Sequence, residues 1–426
     1  MKRLHAYALR DSTSFAIPKG QAINCGIKRT AKLFCRRSSF HRHGPLASKP
    51  EAGSRQQDLP VISHNSMLHS INAQAASYAW HSLPSVMLIS TTHAKRVLFG
   101  LALAGATATA FAQSDPLPSW NEGPAKAAIA SFVAKVTSPG SKDFVAPDER
   151  VAVFDNDGTL MVEQPSSANI NLAFSFDRIR ALAPANPAWQ STQPFKAVLD
   201  DDKDQLTHLS QGDVAKLYLA AYTGMDESSF AQIAGAWMST ARNAHFKRRY
   251  VDLVYQPQLE LLTFLRAQGF KTFLVSGGDV DFLREFALKN YGITPDQVIG
   301  STVQYAYTAE NGKPTIQRLG MFGVINNGSQ KAISIQLHIG LTPILAFGNA
   351  DGDEPMLAMT AANKKPHLVL ILHHDDGARE VAYDREESAS FGRLNALLDE
   401  AASRHWQVVS MRRDFKTLFP STPAFK

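Results

Sequence analysis

Two aspartates, Asp155 and Asp157, follow the short apolar run Val151 to Phe154 and precede Gly158 and Thr159. Carboxylates crowded at i and i+2 repel each other unless a cation or a shared proton compensates. The chemistry this suggests is a divalent metal beside an attacking carboxylate. An acidic turn after a strand would use the same Asp-Gly pair, so the rest of the chain must decide. It supplies three more groups. Lys271 to Val275 runs into Ser276-Gly277-Gly278, and Pro343 to Phe347 runs into Gly348-Asn349-Ala350-Asp351-Gly352-Asp353. A helical stretch between them carries Lys331. A serine hydroxyl and glycine-exposed N–H groups suit phosphate oxygens. A lysine ammonium offsets the charge of an anionic ester, and a second carboxyl near the leaving oxygen can act as general acid and then general base.

These groups need elements that bring them together. Uninterrupted apolar runs ending in polar residues read as buried parallel strands, and ligands bind at the C-terminal ends of such strands. The alternation of strands and helices predicts a doubly wound α/β parallel sheet covered on both faces. Helices are expected at Pro124–Val136, Pro257–Gln268, Asp279 to about Asn290, Ser329–Ile339, Glu354–Ala362 and Arg393–Arg404. Further strands are expected near Gly300, at Leu368–Leu372 and at Trp406–Met411, with a hairpin over Val303–Leu319 around Asn311-Gly312. Residues 166–255 lack a strand of comparable strength and read as helices near Asn169–Leu182, Asp213–Thr223 and Glu227–Ala241, with Pro184–Pro194 and Asp200–Asp204 as loops. An insertion of about 90 residues exceeds an ordinary crossover and reads as a helical lid, leaving 113–165 and 256–426 as the core.

In these residues the chain resembles the haloacid dehalogenase-like superfamily, in its phosphoserine phosphatase-like branch with a helical cap between the first and second motifs. Asp155-Asn156-Asp157-Gly158-Thr159 matches the DxDGT motif, Val275-Ser276-Gly277-Gly278 looks like the second motif, Lys331 like the third, and Gly348 to Asp353 with Met356-Leu357 like the fourth. The resemblance covers roughly residues 120–415 and implies a Rossmann-like core with an inserted α-helical cap. It implies Asp155 as nucleophile and Asp157 as general acid/base. Ser276, Gly277 and Lys331 would bind the phosphoryl group. Mg²⁺ would be held by Asp155, Asp157, Asn349 and Asp353. Glu163 and Gln164, in the segment that faces the cap, are candidate substrate selectors. Asn349 stands where the family usually has Asp. Its amide oxygen can still ligate Mg²⁺, and either Asp351 or Asp353 could replace the lost charge. The implied function is Mg²⁺-dependent hydrolysis of a small phosphate ester through an aspartyl-phosphate. Two alternatives stay open: a phosphotransferase using the same intermediate, and a non-catalytic binding protein disabled by Asn349. His373 and His374 invite a metal reading, but adjacent strand side chains point to opposite faces and no third ligand is evident. Lys247-Arg248-Arg249 reads as a solvated cap face.

The charge is unevenly spread. The chain holds 44 Lys+Arg and 38 Asp+Glu, a net of +6. Residues 1–112 hold 14 and 3 of these, so the remaining 30 and 35 give the body a net of −5. That mildly acidic body carries no nucleic-acid footprint. Lys95-Arg96, the apolar Val97–Ala112 and the Ala110-Phe111-Ala112 site before Gln113 read as a secretory signal peptide over 87–112. The expectation is an exported, periplasmic protein translated from Met87, with 1–86 an untranslated or dispensable extension. The alternative is a membrane anchor through 97–112. Both cysteines, Cys25 and Cys35, precede Gln113, so the body needs no disulfide or thiolate metal site.

Overall fold

The computed structural model describes residues 115–310, 312–385 and 391–421. The basic leader, the segment 87–112 expected to be a signal peptide, both cysteines and Asn311 lie outside the described residues. Among those described, no helix is long and apolar enough to cross a membrane.

Chain order begins with α1 (Pro124–Thr137) and β1 (Val151–Phe154), followed by the cap helices α2 (Ile170–Leu182), α3 (Phe195–Asp200), α4 (Lys203–Thr207) and α5 (Gln211–Tyr222). Next come β2 (Met225–Asp226), α6 (Glu227–Thr240) and the two-residue strands β3 (Arg242–Asn243) and β4 (Arg248–Arg249). The core resumes with α7 (Gln256–Ala267), β5 (Lys271–Asp279), α8 (Val280–Tyr291), β6 (Val298–Glu310), β7 (Lys313–Val324) and α9 (Ser329–His338). It ends with β8 (Leu345–Gly348), α10 (Glu354–Ala361), β9 (Leu368–His373), α11 (Ala396–Glu400), β10 (Gln407–Ser410) and α12 (Met411–Asp414).

One sheet orders these strands β10-β9-β8-β1-β5-β6-β7-β2. β10 through β6 are parallel, whereas β7 and β2 add antiparallel. This is the doubly wound α/β core. Successive strand residues face opposite sides, and β1 shows it. Ala152 and Phe154 pack with Ile129 of α1, Leu261 of α7 and Phe286 of α8. Val151 and Val153 pack with Ile335 of α9 and Met356 of α10. A fully buried side chain such as Phe154 contributes roughly 1.5–3 kcal/mol.

Four features differ from the sequence reading. The expected loops are partly ordered: two 3-10 segments fall in Pro184–Pro194, and Asp200–Asp204 is shared between the end of α3 and the start of α4. The short strand near Gly300 and the first arm of the hairpin are one continuous 13-residue strand, β6, with β7 as the second arm. The strand expected over Lys271–Val275 continues through Ser276-Gly277-Gly278 to the end of β5, carried past a bulge to pair Asp279 with Ser301. Gly300 permits this, because a Cβ there would sit 2.8 Å from the Gly278 carbonyl oxygen. The helix expected over Arg393–Arg404 is only α11. Of Lys247-Arg248-Arg249, Lys247 is exposed while Arg248 and Arg249 form the β4 side of the β3–β4 ladder, Arg248 donating to the Pro420 carbonyl and Arg249 paired with Asp252.

Candidate active site

β8, β1 and β5 are neighbours in the sheet, so their C-terminal ends converge. Asp155 follows β1, its N–H bonded to the Phe347 carbonyl of β8 at 3.0 Å. The loop beyond it winds around Asn156, whose carbonyl accepts from the N–H groups of Thr159, Leu160 and Met161. The Tyr291 hydroxyl donates to Asn156 Oδ1 at 3.0 Å. Gly158 takes a φ of +79°, a region open to glycine at little cost. A Cβ there would lie 2.0 Å from Asn349 Nδ2.

Lys331 Nζ sits between two carboxylates, 2.5 Å from Asp155 Oδ1 and 2.6 Å from Asp353 Oδ1. All three residues are buried. Burial works against the ammonium, but Asp155 and Asp353 outweigh it and hold Lys331 above its ordinary value. Burial pushes Asp155 upward, Lys331 opposes, and Asp353 and Asp157 add to the rise. Asp353 Oδ2 accepts the Asn349 and Ala350 N–H groups at 2.9 and 3.1 Å. Asp353 thus braces both the lysine and the loop.

Asp157 is held from the cap. Asn171 Nδ2 reaches its two oxygens at 3.3 and 3.2 Å, and Asn169 Nδ2 reaches Oδ1 at 3.3 Å. Asn169 is also the N-cap of α2, its Oδ1 accepting the Asn171 and Leu172 N–H groups. Burial pushes Asp157 up to about 6, opposed by hydrogen bonds from Asn156, Asn171 and Ser276 and by the Lys331 charge. The sequence gives the α2 helix start but not the partnership of Asn169 and Asn171 with Asp157. That partnership depends on where the cap lands.

Ser276 is fully buried, and its Oγ accepts the Gly278 N–H at 3.0 Å. Gly277 and Gly278 line the cavity, and Ser301 Oγ donates to the Gly277 carbonyl at 2.8 Å. Asn349 is buried, with Oδ1 accepting from Thr159 Oγ1 at 3.0 Å and Nδ2 donating to Glu163 Oε2 at 3.1 Å. Burial first, then Asp157 and Asp155, raise Glu163 well above the usual carboxylate range. Glu163 thus meets Asn349 and lines the cavity. Gln164 donates to the Phe391 carbonyl at 3.3 Å and is not among the residues lining the cavity. Asp351 accepts the N–H groups of Asn395, Ala396 and Leu397. Its carboxylate braces the start of α11, which leaves Asn349 as the fourth-motif oxygen beside Asp155.

The histidine pair is structural. His373 meets Asp384, and His374 spans Glu380 at 2.8 Å and the Gly158 carbonyl at 2.7 Å. A carbonyl only accepts, so His374 Nε2 carries a hydrogen. The Tyr255 hydroxyl donates to the same Glu380, and Tyr383 stacks on the His374 ring. Among the described residues, no group of three or more His, Cys, Asp or Glu forms a ready-made metal cage. Mg²⁺ does not need one, because it takes one or two carboxylates and keeps several waters. The Asp155 carboxylate, the Asp157 carbonyl and Asn349 Oδ1 are hard oxygens of that kind and fit it.

The cavity above this floor holds about 530 Å³. α2, α5 and β7 supply Leu172, Ser175, Gln211, Val214, Tyr218 and Phe322 to its wall. A model of the haloacid dehalogenase-like hydrolase family matches residues 152–358, the segment from β1 to α10 that carries all four motifs. Residues 152–358 are a haloacid dehalogenase-like domain. No curated protein matches the chain in sequence. Among solved structures, a conserved protein of unknown function from Anaerococcus prevotii is 16% identical, covering 67% of this chain and 91% of its own at a TM-score of 0.42. A protein of unknown function from Bordetella pertussis is 15% identical, with 61% and 98% covered and a TM-score of 0.38. A phosphoserine phosphohydrolase-like protein from Francisella tularensis is 14% identical, with 60% and 98% covered and a TM-score of 0.31. The family match, and not these likenesses, carries the assignment of the haloacid dehalogenase-like domain.

Proposed function

We propose that this domain hydrolyses a small phosphate monoester through a phosphoryl group held covalently on Asp155. The observation that supports this best is the buried Asp155–Lys331–Asp353 chain on the floor of a cavity, with Asp157 beside it. Lys331 fixes one Asp155 oxygen, leaving Oδ2 to attack phosphorus. As that bond forms, the ester P–O bond breaks and the leaving oxygen takes the proton of Asp157. Water then attacks phosphorus, Asp157 takes its proton, and inorganic phosphate leaves with the Asp155 carboxylate restored. A raised Asp157 suits both roles near neutral pH. Gly277, on the cavity lining, offers backbone to the phosphoryl oxygens, and Lys331 neutralises them. Mg²⁺ at Asp155, the Asp157 carbonyl and Asn349 would supply charge neutralisation between the carboxylate and the incoming phosphate.

The wall suggests the kind of ester. Leu172, Val214, Tyr218, Phe322 and Ile325 make it largely apolar, and its cations are Lys331 and Arg393. It suits a leaving alcohol that is uncharged and in good part apolar. The test is phosphate release by the full chain, with and without Mg²⁺, from phenyl phosphate, short alkyl phosphates and phosphoserine, beside Asp155→Asn. Mg²⁺-dependent turnover lost in the variant is expected, with phenyl phosphate ahead of phosphoserine. Silence across the panel would favour a non-catalytic binding role. Export is proposed from the leader at 87–112, and a mature N-terminus at Gln113 in the native protein would support it.

A further inference from the structure

Three aromatic rings lead into the cavity wall. Tyr218 and Tyr222, one turn apart on α5, lie parallel within 3° at 4.3 Å between centroids. Phe322 of β7 stacks on Tyr218 at 5.3 Å and 29°. Tyr222 is fully buried, Tyr218 nearly so, and Phe322 half-buried. Tyr218 and Phe322 line the cavity. A merely apolar wall needs no such arrangement, because aliphatic side chains also bury apolar area. What stacked rings add is a flat surface. A further ring laid on it gains offset stacking beyond its burial.

Both tyrosines are pinned at their tips, and the pins are supports of the reacting centre. The Tyr218 hydroxyl donates to Asp279 Oδ2. Asp279 directly follows Gly277-Gly278 and caps α8 through the Asp281 and Phe282 N–H groups. Arg318, on the same strand as Phe322, reaches that oxygen at 2.6 Å. The Tyr222 hydroxyl donates to the Asn171 carbonyl at 3.2 Å, and the Asn171 amide holds Asp157. The rings therefore keep a fixed place relative to Gly277 at the phosphoryl end and to the acid that protonates the leaving oxygen. A surface fixed in that way orients the alcohol side of an ester before reaction.

We infer that Phe322, backed by Tyr218, is the specificity-determining platform of the cavity, and that the ester it selects carries a planar, uncharged aromatic ring on its alcohol. The inference rests on the hydrolase reading for the place of the phosphoryl group. It goes further in naming the leaving group and the residue that reads it. A saturated group of the same volume fills the space without the stacking. An aryl alcohol is the expected source of the ring, because the aliphatic Leu172, Val214 and Ile325 share the wall and suit a ring without polar edges.

The test is calorimetric binding of two unhydrolysable analogues, phenylphosphonate and cyclohexylphosphonate, to the full chain with Mg²⁺ present. Their rings are similar in size and only the first is flat. Wild type is expected to bind phenylphosphonate more tightly, and Phe322→Leu to shrink that ratio about threefold or more. Phe322→Tyr keeps a ring and is expected to keep the ratio. A wild-type ratio at or below one, or an unchanged ratio in folded Phe322→Leu, would overturn the inference and leave the hydrolase reading standing. The wild-type ratio needs no variant, so it decides even where a substitution lowers the thermal midpoint. Selective binding without phosphate release from phenyl phosphate would instead sink the hydrolase reading and keep the platform. A wild type that binds neither analogue would remove both. Turnover of phenyl phosphate beside adenosine 5′-monophosphate separates the sources of the ring. Phenyl phosphate ahead supports the aryl alcohol, and the nucleotide ahead supports the platform with a base as its ring.

Discussion

Asn171 shows how far a single side chain can sit, in sequence, from the group it serves. It lies on the first turn of α2, yet its amide reaches both oxygens of Asp157 at 3.3 and 3.2 Å. A proton donor must be aimed as well as protonated, and small misplacements of a reacting group are costly. Asn171→Leu keeps the bulk and removes the donor. It is expected to lower kcat on phenyl phosphate by roughly ten- to a hundredfold, with KM little changed and the fold intact by circular dichroism. A proportional rise in KM instead would make Asn171 a substrate contact. Asp155, Asp157, Ser276 and the Asn349 loop were legible from sequence because each follows or borders a continuous apolar run, whereas Lys331, on an amphipathic helix, was picked out by the family resemblance. Glu163 was legible only as a residue near the motif. Its partner Asn349 is brought to it by the pairing of β1 with β8, which no local pattern records.

Strand ends are the elements the sequence exposes best. β1, β8 and β9 are buried on both faces and read as unbroken apolar runs. Short helices are the opposite case. α3 and α4 hold six and five residues, and α11 holds five. Such lengths carry too few turns for a period to declare itself, and tertiary packing decides them. The end of β9 has a second function that its apolar pattern conceals. It carries His374 to the loop after β1, where the ring donates to the Gly158 carbonyl and meets Glu380. Replacing the histidine would free that carbonyl and strand a buried carboxylate beside Tyr255. His374→Leu is expected to cost roughly 1–3 kcal/mol in urea unfolding and to lower turnover through the displaced loop. An unchanged midpoint would show that Glu380 finds another partner.

At the scale of the molecule, the cap and core meet around Arg318. This buried β7 guanidinium reaches Asp279 at 2.6 Å and Glu227 at 2.9 Å, contacts Asp281, and lies 4.0 Å from the Phe230 ring centroid. The Tyr305 hydroxyl of β6 and the Tyr218 hydroxyl of α5 complete the cluster on Asp281 and Asp279. Three carboxylates face one cation, and Glu227 is the one from the cap. Burial and the neighbouring Asp281 raise it to about 7, with Arg318 opposing. Its folded value lies above its ordinary one, so its contribution to stability is fully present at low pH and is lost as pH rises toward about 7. Glu227→Gln is expected to flatten that part of the stability–pH profile and to raise the urea midpoint above neutral pH. A slope identical to wild type would assign the surplus proton elsewhere. Removing the cation itself, as in Arg318→Met, leaves buried carboxylates uncompensated and is expected to cost roughly 3–5 kcal/mol, read in the same unfolding series.

The length of β6 has a consequence for how this fold could be taken apart. One strand leaves the parallel core, becomes half of the hairpin, and hands its partner β7 to β2 of the cap. The inserted segment is therefore not a detachable module. Excising 166–255 would unzip an edge of the sheet and strip Arg318 of Glu227. A chimera that exchanges caps between relatives would have to carry residues 302–324 along with the helices, as one graft drawn from two separate stretches of sequence.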